Sequence, residues 1–234
     1  MISIIIPVLN ESENILRLLD HLSTNTATTD VKEMIVVDGG SADGTPKLVR
    51  HFSEANKNNI RLITSDKGRA KQMNAGAAEA TGTILYFLHA DSFPPKEFDR
   101  YIHEYILQGA DAGSFRMKFD SNHPVLKFSQ WFTQFNYKIC RGGDQSLFVK
   151  KTVFEQLKGY EESYVIYEDC EFINRIYDDY TFKVMNAYLT TSARKYRENG
   201  TFTLQYHFTV IHLKKIFGAS PEKLSNYYHK HIAT

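Results

Sequence analysis

Apolar and polar positions follow one repeating order through the first 92 residues. Ile2 to Val8 is a β-branched apolar run suited to a buried strand, and "NESEN" behind it offers helix N-caps before Ile15, Leu18, Leu19 and Leu22 at helical spacing. The order then returns. "EMIVVD" is strand-like, "GGSADG" is a turn, and Thr45 followed by Pro46 reads as N-cap and first helical residue, with Leu48, Val49 and Phe52 facing the sheet. "IRLIT" and the small-residue helix "RAKQMNAGAAEAT", able to approach a sheet closely, form a third unit, and "TILYFL" forms a fourth strand. Strands alternating with helices predict an α/β fold with a parallel, doubly wound sheet.

Beyond Asp91 the pattern is less regular. "PPKEFDRYIHEYIL" predicts a helix, "AGSFRMKF" a strand and the aromatic "FSQWFTQFNY" a helix. "QSLFVKKTVFEQLKGY" reads as strand then short helix, and "YEDCEFINRIYDDY" as a helix opening on adjacent carboxylates. From Phe202 onward two further helices are expected, broken at "FGASPE". The first of them is apolar around much of its circumference, which favours packing on the rest of the chain over membrane contact. No linker, repeat or low-complexity segment interrupts the chain.

Composition narrows the class. With 234 residues, 42% of them hydrophobic and 13% aromatic, the chain can bury one large core, which excludes disorder and fibre. Lys plus Arg number 28 against 27 Asp plus Glu, a formal charge of +1, so no global field favours nucleic acid or an anionic membrane, and any anion needs a local site. Cys140 and Cys170 lack metal-ligand spacing and read as free structural thiols of a reducing compartment. The N-terminal apolar run has no basic region before it and is too short for a signal peptide or a membrane span, so a cytoplasmic protein is expected.

In parallel sheets ligands collect outside the carboxyl ends of the strands. Asn10 and Glu11, Asp38, Asp66, and His89 with Asp91 all stand at or just beyond such predicted ends. "DGGSADGT" fits neither common phosphate loop, because Gly39, Gly40 and Gly44 miss the G-x-G-x-x-G spacing and Thr45 stands where a Walker loop needs lysine. Asp38 at a strand end favours nucleoside contact over plain turn chemistry. Asp91 favours a divalent ion over a cap for the next helix, since one carboxylate plus phosphate oxygens and water can hold it. Glu168 and Asp169, on pattern alone, are a favourable dipole interaction at a helix start, worth about 0.3–1 kcal/mol. "RGGDQ", Arg141 to Gln145, is equally a hairpin turn and an acceptor-side loop. Arg194, Lys195 and Arg197 form the densest basic cluster, either a solvated face or a diphosphate contact.

"SIIIPVLNE", "VVDGGSADGT", "GRAKQMNAGAAEATGTILYFLHADS" and "YED" together resemble the family-two glycosyltransferases, whose nucleotide-sugar-binding fold is called GT-A. The resemblance continues through "GGDQSLFVKKTVFEQLKGY" and "EDCEF" and is weak beyond Gly200; "SARKYRENG" is similar to a bacterial subgroup, the radical-SAM/selenodomain-associated glycosyltransferases. It implies a catalytic domain over 1–200, with a nucleotide-binding half 1–92 and an acceptor-side half 93–200, and a helical extension over 201–234. Pro7, Asn10, Glu11 and Gly40 would line a uridine or guanosine pocket, Asp38 would bind the base, and Arg69 would approach the nucleotide. The family's Asp-x-Asp metal motif stands here as His89-Ala90-Asp91, so Asp91 would hold Mn2+ or Mg2+, while His89 is left open between ribose, metal and the strand end. Asp169 would be the general base and Glu168 would position the acceptor or the base. Asp144, Gln145, Arg194 and Arg197 would contact diphosphate or acceptor; the family's Gln-x-x-Arg-Trp motif is absent.

The implied activity is inverting transfer of a sugar from a UDP- or GDP-linked donor to a hydroxyl acceptor by metal-assisted in-line displacement. The rivals are a nucleotidyltransferase acting on sugar phosphates and a non-catalytic nucleotide-binding protein. A cytoplasmic location is expected, with contact of the C-terminal helices at the inner face of the membrane as an open alternative.

Overall fold

The apolar runs become buried strands. In the computed structural model, which describes residues 1–27, 30–56, 59–142 and 145–232, the first half is β1 (Ile2–Val8), α1 (Ile15–Asn25), β2 (Val31–Asp38), α2 (Thr45–Ala55), β3 (Ile60–Thr64), α3 (Arg69–Glu79) and β4 (Ile84–Phe87). There follow β5 (Ser92–Phe93), α4 (Phe98–Leu107), β6 (Ala112–Phe119), α5 (Pro124–Trp131), β7 (Leu147–Lys150), α6 (Lys151–Gln156) and α7 (Glu168–Asp179). The chain continues with β8 (Phe182–Thr191), α8 (Arg194–Asn199), α9 (Thr201–Ile216) and α10 (Pro221–His231). One sheet has the order β3-β2-β1-β4-β7-β6-β8-β5. Its first four strands are parallel, β7 runs antiparallel to both β4 and β6, and β6 and β8 are again parallel.

Register decides where the polar tips land. Val8 lies opposite Asp38, Asp38 opposite Thr64, and Ile5 opposite Phe87, so the residues after β1, β2 and β4 emerge on one rim. Period-two alternation sends Ile4 and Ile6 to Leu18, Leu22 and Val49 on one face, and Ile5, Ile35 and Val37 to Ala70, Met73 and Ala77 on the other. The small residues of α3 do what the sequence suggests. A Cβ on Gly76 would stand 2.5 Å from Ile5 Cγ2, so only glycine lets this helix lie so close to the sheet.

Leu204 and Ile211 of α9 and Leu224 of α10 pack with Met117, Phe119, Leu126 and Tyr196 in a third cluster. Each such buried side chain contributes about 1.5–3 kcal/mol, so the C-terminal helices are held on β6 and α5 rather than hanging from them. Among the described residues no helix is long and apolar enough to cross a membrane.

Two local expectations change. The residue before α2 is Gly44, at φ 90°, and Thr45 is already helical; Asp43 accepts from the Thr45 N–H at 3.0 Å and from its hydroxyl at 2.6 Å, so Thr45 is a first-turn donor and Asp43 the side chain that caps it. The aromatic stretch is helical only to Trp131, then a 3-10 turn over Phe132–Gln134, then extended at Phe135. The Arg141 guanidinium donates to the carbonyls of Thr133 at 2.7 Å and Phe135 at 2.6 Å, and so removes acceptors that a continuing helix would use.

Candidate active site

A cleft of about 1350 Å³ opens outside the carboxyl ends of β1 and β4, bounded by the N-termini of α3 and α7 and roofed by α9. The ligand rule for such sheets is met, since Pro7, Asn10, Glu11, His89 and Asp91 all line it.

The β1 side is locked by short polar contacts. Asn10 sits at φ 56°, its N–H donates to Ser41 Oγ at 2.8 Å, and its Oδ1 accepts from the Ala42 N–H at 2.9 Å. The Glu11 N–H donates to Thr45 Oγ1 at 3.0 Å, and the Glu11 carboxylate accepts from Asn14 Nδ2 at 2.7 Å and Arg194 Nη2 at 3.1 Å. Buried Gln72 donates through Nε2 to the carbonyls of Val8 and Val37, both at 2.8 Å, and so ties the ends of β1 and β2 together. Its one sequence signal is an amide inside the small-residue face of α3.

Asp38 is buried at the end of β2, where its carboxylate accepts from the N–H groups of Gly40 and Ser41, each at 3.1 Å. Gly40, at φ 94°, makes that turn possible. Asp38 and Gly40 therefore shape the wall behind the rim, and neither is among the residues lining the cleft. Asp66 lies away from it too, exposed and paired with Lys71 at 3.1 Å.

Glu168 and Asp169 enter the cleft as the first residues of α7, directly after Tyr167 in the left-handed conformation at φ 78°. Arg69 Nε stands 2.6 Å from Glu168 Oε1, and His89 Nε2 stands 3.7 Å from Asp169 Oδ2. Glu168 is 1% exposed. Burial pushes its carboxyl above the usual range, Arg69 opposes the rise, and the Asp169 charge adds to it. The Arg69 cation and the backbone N–H of Glu168 itself both favour the ionised carboxyl against that burial. Burial also pushes the Tyr167 phenol up to about 12, and its ring meets His212 of α9 edge-on at 5.0 Å.

Cations line the same cleft. Burial disfavours the Arg194 charge, but the carboxylates of Glu11 and Asp91 outweigh it and raise its pKa. Lys195, Lys67 and the N-terminus of α3, which has no acidic residue in its first turn, complete a positive side suited to an anion. The basic cluster near residue 195 is thus divided: Arg194 and Lys195 line the cleft, whereas Arg197 lies outside that lining, 3.1 Å from Asp120. Gln145 lines the cleft and is buried, accepting from Arg141 Nη1 at 2.7 Å and donating to the Cys140 carbonyl at 2.8 Å, so it also orders the loop. Asp144 lies outside the described residues. Arg141, which the sequence marks only as the start of the "RGGDQ" loop, is a buried guanidinium, 3% exposed.

The described residues contain no group of three or more His, Cys, Asp or Glu placed to hold a metal ion. The donor set on the rim is Asp91 with His89 two residues before it, which suits a hard divalent ion that takes its remaining ligands from phosphate oxygens and water.

A family model described as "Glycosyl transferase family 2" matches residues 3–180. Among curated proteins the chain is similar to glycosyltransferase AglE of Haloferax volcanii, 39% identical over 99 residues, covering 42% of this chain and 32% of AglE, so the chain matches about a third of that relative's length. Among solved structures it is similar to S. aureus TarS 1-349 in complex with UDP-GlcNAc, with a TM-score of 0.69 and 21% identity over 82% of this chain and 58% of that one. The mannosyltransferase PcManGT from Pyrobaculum calidifontis, in complex with GDP-Man and Mn2+, gives a TM-score of 0.73 at 21% identity over 97% of this chain and 69% of that one. Both structures share the α/β architecture of a curled sheet flanked by helices.

Proposed function

The chain belongs to glycosyl transferase family 2, and from that premise we propose that it moves a sugar from a nucleoside-diphosphate sugar to a hydroxyl acceptor with inversion. The observation that carries this reading is the meeting of the Arg69–Glu168 ion pair and the His89–Asp169 contact in one cleft at the strand ends. Asp169 accepts the proton of the acceptor hydroxyl as that oxygen attacks the anomeric carbon from the side opposite the diphosphate. Glu168, held by Arg69, orients Asp169 and the acceptor. Arg194 and Lys195 face the departing diphosphate, with the N-terminus of α3 beside them. Asp91 is the residue that would hold Mn2+ or Mg2+, with His89 at ribose or metal, and such an ion when bound neutralises charge growing on the leaving group. Asp38 and Gly40 shape the base pocket.

The PcManGT complex contains Mn2+, and the complexes with UDP-GlcNAc and GDP-Man make a UDP- or GDP-linked donor the first choice. Within the family, the "SARKYRENG" segment supports the radical-SAM/selenodomain-associated subgroup as the reading. Its working parts are a nucleotide-binding half over 1–92, an acceptor-side half over 93–200 and the helical extension from 201, with a cytoplasmic location.

The test is thermal shift of the full chain with UDP, GDP, UDP-GlcNAc and GDP-Man, each with Mn2+, Mg2+ or chelator, followed by nucleotide release. A ligand at 100 times its Kd adds about 2.7 kcal/mol, and a domain of this size gains about 2–4 °C per kcal/mol. A shift near 5–10 °C with one nucleotide, larger with metal, and slow release of that nucleotide from its sugar are expected. No shift with any of the four would overturn the reading.

A further inference from the structure

The cleft changes character along its length. At the strand ends it is polar, but its outer mouth carries exposed aliphatic side chains: Ile139 is 81% exposed, Ile216 65%, Val165 50% and Leu213 47%, and all four line the cleft. They come from three separate segments, the turn Lys138–Cys140, the loop before α7 and the last turns of α9, so no single helix face accounts for them. Behind them the floor is apolar as well, with Met117, Phe119 and Ile211 lining the same cleft from the third core cluster. Exposed isoleucine, valine and leucine converging on one opening from three directions form a patch that water penalises and that a soluble domain seldom keeps without use.

Resting on the transferase reading above, we propose that the acceptor is an amphiphile: its hydroxyl lies at Asp169 and its hydrocarbon chain runs outward between α9 and the Lys138–Cys140 turn. Two observations select this occupant. The groove is continuous with the space beside Asp169, so whatever fills it is joined to the reacting group. The exposed groups in its mouth are mainly aliphatic, which suits methylene chains; a sugar polymer is gripped by aromatic faces and hydrogen-bonding side chains instead.

The test uses n-hexyl, n-heptyl and n-octyl β-D-glucosides below their micelle concentrations, titrated calorimetrically into the full chain saturated with UDP or GDP, with glucose and maltoheptaose as controls. Affinity should rise about threefold to fourfold per added methylene, the factor expected when each CH2 leaves water. The double variant Ile139→Ser, Ile216→Ser should lose this dependence while nucleotide affinity holds; both side chains are exposed, and thermal melting checks the fold. Equal affinity for all chain lengths, chain-length dependence that survives in the double variant, or tighter binding of maltoheptaose than of octyl glucoside would each overturn the proposal. So would co-sedimentation with 3:1 phosphatidylcholine/phosphatidylglycerol vesicles without any chain-length dependence, because the patch would then dock a bilayer and not an acceptor. Chain-length dependence in a protein that binds neither nucleotide would instead overturn the transferase reading and with it the acceptor role.

Discussion

Asp169→Asn separates chemistry from binding more cleanly than any other single change in the cleft. The amide keeps the shape of the carboxylate but cannot accept the acceptor proton, and loss of a general base lowers the rate by about 10²–10⁴. At about 1.36 kcal/mol per tenfold, that is about 3–5 kcal/mol added to the barrier. Folding should barely respond. Asp169 stands in the first turn of α7, so losing its charge removes about 0.3–1 kcal/mol of helix-dipole interaction. Against this, the Asp169 charge helps push buried Glu168 up, and its removal relieves that repulsion. The two effects oppose each other, and the melting temperature should move by less than about 4 °C. The assay is single-turnover release of UDP or GDP from whichever donor the thermal screen selects, beside calorimetric affinity for the same donor. Unchanged affinity with a rate loss of at least a hundredfold supports the assignment. A rate within a few-fold of the parent, with Glu168→Gln inactive, would move the base by one residue. Normal transfer in both variants would falsify the catalytic reading and leave the carboxylates as helix-end charges.

Asp91→Ala should abolish the gain in nucleotide affinity that Mn2+ gives the parent, measured with metal and with chelator; an equal gain in the variant would move the ligand role to His89. Asp38→Ala should weaken nucleotide binding and stability together, each by about 1–3 kcal/mol, since the same carboxylate holds the Gly40–Ser41 turn; unchanged calorimetric affinity would remove it from the pocket. Glu168→Gln should change the pH profile of stability in a defined direction. Burial first, and Asp169 after it, raise the folded-state pKa above 4.5, so the stability that the neutral carboxyl contributes is full below 4.5 and is lost as pH rises through the folded value. The variant should therefore melt higher relative to the parent as pH rises from 4 to 8, and a constant difference would refute the burial argument.

Legibility in the sequence followed the kind of burial. β1, β4 and the Met34–Val37 part of β2 are sealed on both faces, so they read as apolar runs, and their polar tips could be placed on one rim from spacing alone. β8 escaped notice because "FKVMNAYLTT" mixes buried and exposed positions and its pairing with β6 shifts register between Phe115 and Arg116. The contacts that build the site were not legible. Arg194 meets Glu11 across 183 residues of chain, and Arg69 meets Glu168 only because α3 and α7 open on the same cleft. Sequence could name these charges as candidates but could not say which cation faces which carboxylate, nor that Arg197 turns to Asp120.

Several of the places where the chain breaks local rules lie at that cleft. Among the described residues five that are not glycine take positive φ. Two of them, Asn10 and Tyr167, line the cleft, and a third, Ser146, borders the small void behind His89 and Asp169. Left-handed backbone at tyrosine costs about 1–3 kcal/mol, and here it is the turn that delivers Glu168 and Asp169. Glu168 itself is a carboxyl buried with one cation, and Arg141 is a guanidinium buried against carbonyls and amide oxygen with its Nε unpaired. Each is a burial that a fold optimised for stability alone would replace with apolar packing. Three of the five positive-φ residues and both of these buried charged groups stand at or beside one cavity at the carboxyl ends of parallel strands, the kind of place where a fold gives up local consistency for a site.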